Sequence, residues 1–384
     1  MTAEEILAEK RETLLKACNH IETDYIPNVA FCGNGILAHA GVTYHDVVND
    51  EAKIEHVFRK LLSVAHFDVG MLNFSGSPQT YAALDGRTET FLAPDGIGLQ
   101  HIQKPTMKED EYPQLIEDID KFMKEVLLPR KFPELFADKE RALEKLKIVV
   151  GETVARTTGP YSKVHAKICA EYGFVPFPLG LPRFVAPADW IFDRFRGFKG
   201  TLTDMKRHPE EFKKAIDVIY KKFANLYKNV TVKDHFASYM PHIPCYMNME
   251  QFRTFFWPYF RELVTNIANS GNKVYMSLEG RWLPFIEHFL ELPKDSVIIM
   301  VDDDDILELK KRIGHHQVLT GGVKIQNTRL LSKEENIDYA KRVIDACAPG
   351  GGFMFNSDKM WIFSGDINQN LIDVYNFAHE YGKK

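Results

Sequence analysis

The stretch that carries the strongest fold signal is KVYMSLEGRW, residues 273–282. Residues 273–278 predict a buried strand, and Glu279 and Gly280 follow it directly. A strand that is apolar on both faces belongs to a parallel sheet covered by helices, because burial of both faces removes the need for polar alternation. The stretch therefore predicts a parallel strand that ends at a carboxylate.

Short apolar runs alternate with longer amphipathic runs on both sides of this stretch. In the C-terminal half the predicted strands are 231–236, 273–278, 296–301, 317–323 and 351–355, and the predicted helices are 249–271, 285–293, 306–314, 333–347 and 370–382. In the less regular N-terminal half the predicted strands are 26–31, 66–74 and 173–180, separated by helical stretches such as 112–127 and 138–158. Repeated strand–helix units of this kind form either a (β/α)8 barrel or a doubly wound sheet.

The choice between these two folds depends on the first strands. No G-x-G-x-x-G sequence follows an early strand, which disfavours a dinucleotide-binding sheet. We therefore predict an α/β fold, a (β/α)8 TIM barrel with an N-terminal helical extension. The barrel is expected to form a single domain over residues 1–384, with residues 1–60 as the helical extension and first strand.

Composition limits the class of protein. The 384 residues are 45% hydrophobic and 26% charged, with a net charge of −5, and no basic stripe is present, so nucleic acid is not an expected partner. The N-terminal helix has no apolar leader segment, and no run of about 18 uncharged apolar residues follows, so a cytoplasmic protein without a membrane partner is expected. Five cysteines without a C-x-x-C pair predict neither a disulfide framework nor a thiolate zinc site.

Polar residues follow several of the predicted strands. In a barrel the chemistry collects at the C-terminal ends of the strands. The residues at these positions are Asn73, Ser75, Asp234, His235, Ser277, Glu279, Asp302 to Asp305, Asn356, Ser357, Asp358 and Lys359. Glu279 is thus where a barrel would present a functional carboxylate.

Each of these residues also has a structural interpretation. Glu279 could cap the following helix or pair with Arg281. Asp304 and Asp305 suit a helix N-terminus, which leaves Asp302 and Asp303 for a functional role. His235 could be a hydrogen-bonded histidine of the core or rim. Histidine and carboxylates on adjacent strand ends could also hold zinc, although no spacing here is a metal motif in itself.

Several segments, in their order along the chain, resemble the uroporphyrinogen decarboxylase superfamily. They are DYIPNVAF, AGVTYHDVVNDEAK, WIFDRFRGFKGTLTDMKRHPEEF, DHFASYMPHIPCYMNMEQFRTFFWPYF, VYMSLEG, VDDDDILELKKRIG, LTGGV and GGFMFNSDK. The likeness spans nearly the whole chain. It is closer to the cobalamin-dependent methyltransferase branch, and in particular to the methyltransferase I component of O-demethylase systems.

Two departures from the family pattern bear on function. Decarboxylases of the family carry an arginine-rich segment near the N-terminus that binds carboxylate side chains, and here residues 28–35 read NVAFCGNG. Coenzyme M methyltransferases hold zinc with an H-x-C pair and a later cysteine. Ser277 and Glu279 replace that pair, and Asp358 or Lys359 stands at the later position. A thiolate zinc site is therefore excluded at these positions.

The resemblance implies a methyltransferase that takes a methyl group from a small methylated donor, such as a methoxylated aromatic, to the cob(I)amide of a partner corrinoid protein. The implied cofactors are cobalamin, carried by the partner, and zinc. The resemblance is also compatible with a homodimer. The implied catalytic residues are Glu279, Lys359 and Asp234, the implied metal ligands are Glu279, His235 and Asp303, and the implied substrate-binding residues are Phe236, Tyr239, Trp282 and Asn73.

Two other functions are compatible with the resemblance. The first is a lyase that decarboxylates a porphyrinogen or another carboxylated ligand. The missing arginine segment argues against it, because many carboxylates need cationic partners. The second is a non-catalytic binder of a corrinoid or tetrapyrrole. Acidic residues gathered at strand ends argue against that, since an inactive site has no reason to keep them close together.

Overall fold

The computed structural model describes residues 2–48, 50–74, 78–85, 90–182, 184, 186–228 and 230–384. Its strands are β1 (Val29–Phe31), β2 (Val69–Met71), β3 (Thr90–Leu92), β4 (Leu99–His101), β5 (Val175–Pro176), β6 (Phe236–Tyr239), β7 (Lys273–Leu278), β8 (Val297–Val301), β9 (Val318–Val323) and β10 (Phe353–Ser357).

The α-helices are α1 (Ala3–Ala17), α2 (Gly35–Ala40), α3 (Tyr44–Val47), α4 (Glu51–Leu62), α5 (Pro78–Asp85), α6 (Tyr112–Glu117), α7 (Ile119–Phe122), α8 (Leu128–Lys131), α9 (Pro133–Ala137), α10 (Lys139–Thr158), α11 (Pro160–Tyr172), α12 (Pro187–Trp190), α13 (Gly197–Arg207), α14 (Pro209–Phe223), α15 (Met249–Gln251), α16 (Trp257–Asn269), α17 (Ile306–Ile313), α18 (Ile325–Leu330), α19 (Lys333–Cys347) and α20 (Gln369–Tyr381).

Eight of these strands form a closed parallel barrel. Strands β6 to β10 pair in the order β10-β9-β8-β7-β6, and β1, β2 and β5 pair in the order β1-β2-β5. A parallel bridge between Asn28 and Phe355 joins β1 to β10. On the other side, the Phe236 N–H donates to Pro178 O at 2.8 Å and joins β6 to β5. The predicted (β/α)8 TIM barrel is therefore confirmed.

The interior of the barrel is filled from its N-terminal end. A cluster of inward-facing side chains includes Val29, Val69, Val175, Phe236, Tyr275, Ile298 and Val318. Leu14, Ala17 and Cys18, at the end of α1, belong to the same cluster, so the N-terminal helix covers this end of the barrel. The opposite end, at the C-terminal ends of the strands, carries the polar residues and is called the mouth below.

Most predicted elements of the C-terminal half agree with the structure, and β7 and α19 have the predicted bounds. The prediction for 231–236 is wrong, because β6 begins only at Phe236 and pairs there with Lys273. Asp234 has a positive φ of 59°, a conformation that strands do not contain. The chain therefore enters the sheet later than predicted and reaches the mouth after Tyr239.

Two features of the N-terminal half were not predicted. Strands β3 and β4 form an antiparallel hairpin outside the barrel. Gly70 in β2 has a φ of +137°, and a Cβ atom there would lie 2.1 Å from Ala30 O, so β1 and β2 can approach only with glycine at this position. Over the part of the chain that the structure describes, no helix is both long and apolar enough to span a bilayer.

Candidate active site

The chain turns sharply where β7 reaches the mouth. The Glu279 N–H donates to Ser277 O at 3.1 Å, and Gly280 follows with a φ of +75°. This turn leaves the Glu279 side chain half-buried, with 44% of its surface exposed. Burial raises the pKa of Glu279, although the nearby His242 works in the opposite direction. The glutamate that the sequence singled out thus lies in the mouth beside an ionisable partner.

His242 lies three residues beyond β6 and stands between two carboxylates. Its Nδ1 is 2.8 Å from Asp193 Oδ1, and its Nε2 is 3.6 Å from Glu279 Oε2. Burial alone would lower the pKa of His242, but the hydrogen bond to Asp193 and the charges of Asp193 and Glu279 outweigh burial and raise it to about 9. The imidazole is therefore positively charged at neutral pH.

A buried carboxylate fixes the backbone that carries His242. Asp189 Oδ1 accepts the backbone N–H of His242 at 2.9 Å and that of Ile243 at 2.8 Å. The Tyr239 hydroxyl donates to the other oxygen of Asp189. Burial raises the pKa of Asp189 to about 6, with the hydrogen bonds opposing it. Because the segment after β6 is held at several points, the direction of the His242 ring is set before any ligand arrives.

Asp193, which orients the imidazole, comes from a different part of the chain. It lies in a π-helical turn, Ile191–Arg196, between α12 and α13. Single π-helical turns inside helices are frequent at functional sites. The histidine and its two carboxylates are thus supplied by three separate segments that meet only in the folded barrel.

The far side of Glu279 carries a cation. The Lys359 ammonium is 2.9 Å from Asp302 Oδ1 and 3.6 Å from Asp303 Oδ1. Burial raises the pKa of Asp302, and Lys359 opposes that rise. The Gly280 N–H is 3.4 Å from Asp302 Oδ2, so Asp302 lies between the turn at Glu279 and Lys359. Lys359 itself is 55% exposed and can reach a ligand in the mouth.

A pocket of about 670 Å³ opens beside His242, next to the junction of β5 and β6. Its wall combines an apolar part with the carboxylates described above. The lining residues include Phe236, Tyr239, Met240, Asp189, Asp193 and His242. Such a combination of apolar walls and a few polar groups is typical of small-molecule sites.

The structure brings together only part of the predicted polar set. Glu279, Lys359 and Asp303 meet in the mouth. Asp234 and His235 precede β6 and lie at the opposite end of the barrel, where the Asp234 N–H donates to Gly271 O at 3.0 Å. Their predicted position at the C-terminal end of a strand is wrong, because β6 starts after them.

The predicted substrate-binding residues lie in three different surroundings. Phe236 and Tyr239 line the pocket. Trp282 is fully buried, and its Nε1–H donates to Glu279 O at 3.1 Å, so it belongs to the core. Asn73 Oδ1 accepts from the Tyr161 hydroxyl at 3.0 Å and is held there. Ser75, which follows the same strand, lies outside the described residues.

The mouth offers two side chains of the type that binds zinc. His242 Nε2 and Glu279 Oε2 are 3.6 Å apart, and Asp193 holds the other imidazole nitrogen, as the outer partner of a zinc-bound histidine does. Among the described residues, however, no third His, Cys, Asp or Glu of the mouth lies within 4.8 Å of both. Since a catalytic zinc site takes three protein ligands, this donor set does not fit zinc as it stands. The predicted ligand set of Glu279, His235 and Asp303 is not assembled, because His235 lies at the other end of the barrel.

The charge state of His242 makes folding stability depend on pH. Its pKa is raised from 6.5 to about 9, so its contribution is fully present below pH 6.5 and is lost as the pH rises through about 9. We expect the difference in unfolding free energy between the protein and His242→Gln to shrink between pH 6 and pH 10 in urea titrations. A difference that stays constant or grows would contradict the ion pair with Asp193.

The fold and the site together define an eight-stranded α/β barrel whose ionisable residues gather at the C-terminal mouth. Residues 192–359 match the family model described as uroporphyrinogen decarboxylase (URO-D). The matched region contains Asp193, His242, Glu279, Asp302 and Lys359. The comparison with curated proteins gives no match.

Among solved structures, the fold is similar to that of a methyltransferase from Methanosarcina mazei, with a TM-score of 0.57 and 12% sequence identity. The alignment covers 97% of this chain and 98% of that one. At this identity the likeness concerns the fold.

Proposed function

We propose that this chain is a methyltransferase that moves a methyl group from a small methylated donor to the cob(I)amide of a partner corrinoid protein. The observation that carries the proposal is the charged His242, held by Asp193 and facing Glu279 beside a pocket for a small molecule. The structural likeness to a methyltransferase supports the reaction class.

The reaction requires a proton donor for the leaving group. A cob(I)amide held by the partner would supply the nucleophile for the methyl carbon, and the electron pair of the broken bond would go to the oxygen, nitrogen or sulfur of the donor. The His242 Nε2–H supplies the proton to that atom. General acid catalysis of this kind contributes about 10²–10⁴-fold to a rate. Asp193 acts as a positioning residue, because it fixes the ring and keeps it charged.

Glu279 and Lys359 complete the proposed site. Glu279 faces His242 with its carboxylate, which helps to keep the imidazole charged. Lys359 stabilises the anion of the leaving group from the other side of Glu279, since more than half of its side chain is exposed. Phe236 and Tyr239 supply the apolar wall for an aromatic donor.

Zinc is one of the implied cofactors, and His242 and Glu279 are two side chains of the type that binds it. The described residues do not place a third ligand beside them. No step of the proposed mechanism therefore depends on zinc, and the proton from His242 serves the leaving group instead.

Residues 28–35 stand where decarboxylases of the family bind carboxylate side chains, and their packing argues against decarboxylation by this chain. The N–H groups of Gly33 and Gly35 both donate to Trp361 O at 3.0 Å. A Cβ atom at Gly33 would lie 2.8 Å from the Ile362 side chain. Because Gly33 and Gly35 pack directly on residues after β10, arginine at either position would collide with them. Arginine is the side chain that a tetrapyrrole with many carboxylates requires.

The proposal is tested by mixing the purified chain anaerobically with free cob(I)alamin and a panel of methyl ethers, amines and thiols. We expect loss of the cob(I) spectrum and growth of methylcobalamin with one class of donor. The matched control is Asp234→Asn, at the opposite end of the barrel, which should react at the unchanged rate. If no donor reacts and a carboxylated tetrapyrrole loses carbon dioxide instead, the chain is a decarboxylase.

A further inference from the structure

A second cluster of ligand-type side chains lies at the opposite end of the barrel from the mouth. His66 and Asp68 lead into β2, and His379 lies in α20. Their ligand atoms lie within 4.8 Å of one another, and among the described residues this is the group of three that could hold a metal ion. His66 Nε2 is 3.0 Å from Asp68 Oδ1. The proposed methyl transfer uses none of these residues.

Two of the three ligands, Asp68 and His66, are fixed by their surroundings. The Asn28 N–H donates to Asp68 Oδ2 at 2.9 Å, which leaves Oδ1 for the cluster. The His66 backbone is held at both ends, because its N–H donates to Asn376 Oδ1 at 3.2 Å and its carbonyl accepts from Asn28 Nδ2 at 3.1 Å. Only 2% of the Asp68 side chain is exposed. A buried carboxylate that is fixed in this way needs a cation beside it.

The two imidazole rings are stacked, with 3.4 Å between their centroids and 22° between their planes. A pocket of about 390 Å³ opens onto the cluster and gives an ion and its water a path to the ligands.

The cation now beside Asp68 is a side chain. The Lys10 ammonium of α1 is 2.9 Å from Asp68 Oδ1, and 14% of the lysine side chain is exposed. Lysine is long and flexible, and its ammonium is readily hydrated, so it can leave the carboxylate for the open pocket. Lys10 and a metal ion would therefore compete for the same oxygen.

From this geometry we propose that His66, Asp68 and His379 form a binding site for a divalent transition-metal ion of the zinc type, with Lys10 as its internal competitor. Two neutral imidazoles and one carboxylate are a ligand set that zinc takes together with water. His66 and His379 are far apart in the sequence, so the bound ion would link α20 to the start of β2 and stabilise the folded chain.

The test uses the full chain after treatment with a chelator, titrated with Zn²⁺ by calorimetry and with Co²⁺ by visible absorption. We expect one equivalent to bind and the Tm to rise with the Zn²⁺ concentration. His66→Ala and His379→Ala should each weaken binding by at least about 100-fold, because each removes one ligand of three. Lys10→Gln should bind more tightly than the unaltered chain, because it removes the competing ammonium.

Two control variants separate this site from other histidines and from the mouth. His45→Ala, an exposed histidine outside the cluster, should leave Zn²⁺ affinity unchanged. Glu279→Gln should also leave it unchanged, because Glu279 lies at the other end of the barrel. If either histidine variant does not fold, Lys10→Gln still decides the matter. Binding that persists in both histidine variants, or that does not tighten in Lys10→Gln, would overturn the proposal.

Discussion

On the proposed mechanism, replacing His242 by glutamine should lower the rate of methyl transfer to cob(I)alamin by about 10²–10⁴-fold, because the leaving group then lacks its proton donor. Glutamine keeps the size and polarity of the side chain, and the backbone contacts of residue 242 with Asp189 do not depend on the side chain. The effect should therefore appear in kcat, with little change in KM for the donor. Stopped-flow absorbance of the cob(I) band measures both.

The control for this variant is His235→Gln. His235 is also a partly buried histidine close to β6, but it precedes the strand and lies at the opposite end of the barrel. We expect its rate to be unchanged. The unaltered enzyme should also slow as the pH rises through about 9, where His242 loses its proton. A His242→Gln variant that keeps the full rate, or a rate without this decline, would show that another group protonates the leaving atom.

Replacing Trp282 by alanine should lower the unfolding free energy by about 3–5 kcal/mol, as is typical for removing a large buried aromatic side chain. The indole is fully buried among Phe252, Phe256, Phe285 and Phe289. Its Nε1–H also donates to Glu279 O and so supports the turn that carries the glutamate. Urea denaturation followed by circular dichroism measures the loss.

Two further variants distinguish packing from substrate contact. Trp282→Phe keeps most of the ring contacts and loses the hydrogen bond, so we expect it to cost about 1 kcal/mol. Phe363→Ala, at a side chain that is more than half exposed, should change the free energy by less than about 0.5 kcal/mol. If Trp282→Ala folds with full stability and instead raises KM for the donor, Trp282 contacts the substrate after all.

The sequence was sufficient to predict the strands that are buried on both faces. Residues 273–278 are apolar almost throughout, and the strand observed there has the predicted bounds. The prediction failed at 231–236, where Thr231 and Val232 suggest a strand by propensity. Because Asp234 has a positive φ, the strand begins only at Phe236, and no local sequence pattern indicates this late start. The bounds of a strand decide which side chains follow its C-terminal end. This one error therefore placed the predicted site residues at Asp234 and His235 instead of at His242.

The remaining site residues could not be predicted because they are assembled by tertiary packing. Asp189 and Asp193 belong to the segment after β5, and their contacts with His242 bridge about 50 residues of sequence. In the sequence alone, Asp189 and Asp193 resemble the exposed acidic residues that are common near the N-termini of helices. Only the position of β6 shows that they face His242. Trp282 illustrates the opposite case, since an aromatic residue next to a candidate carboxylate is more often part of the core than of a pocket.

The junction between β5 and β6 has a consequence for the range of donors. Strands β7 and β8 are joined over five residue pairs, whereas β5 and β6 are joined, within the described part of the chain, by the bond from the Phe236 N–H to Pro178 O. Amide hydrogens along this seam should therefore exchange with solvent sooner than those of β7 and β8. The pocket beside His242 lies on the same seam, so weaker strand pairing there would let the pocket widen for a bulkier donor of the proposed reaction.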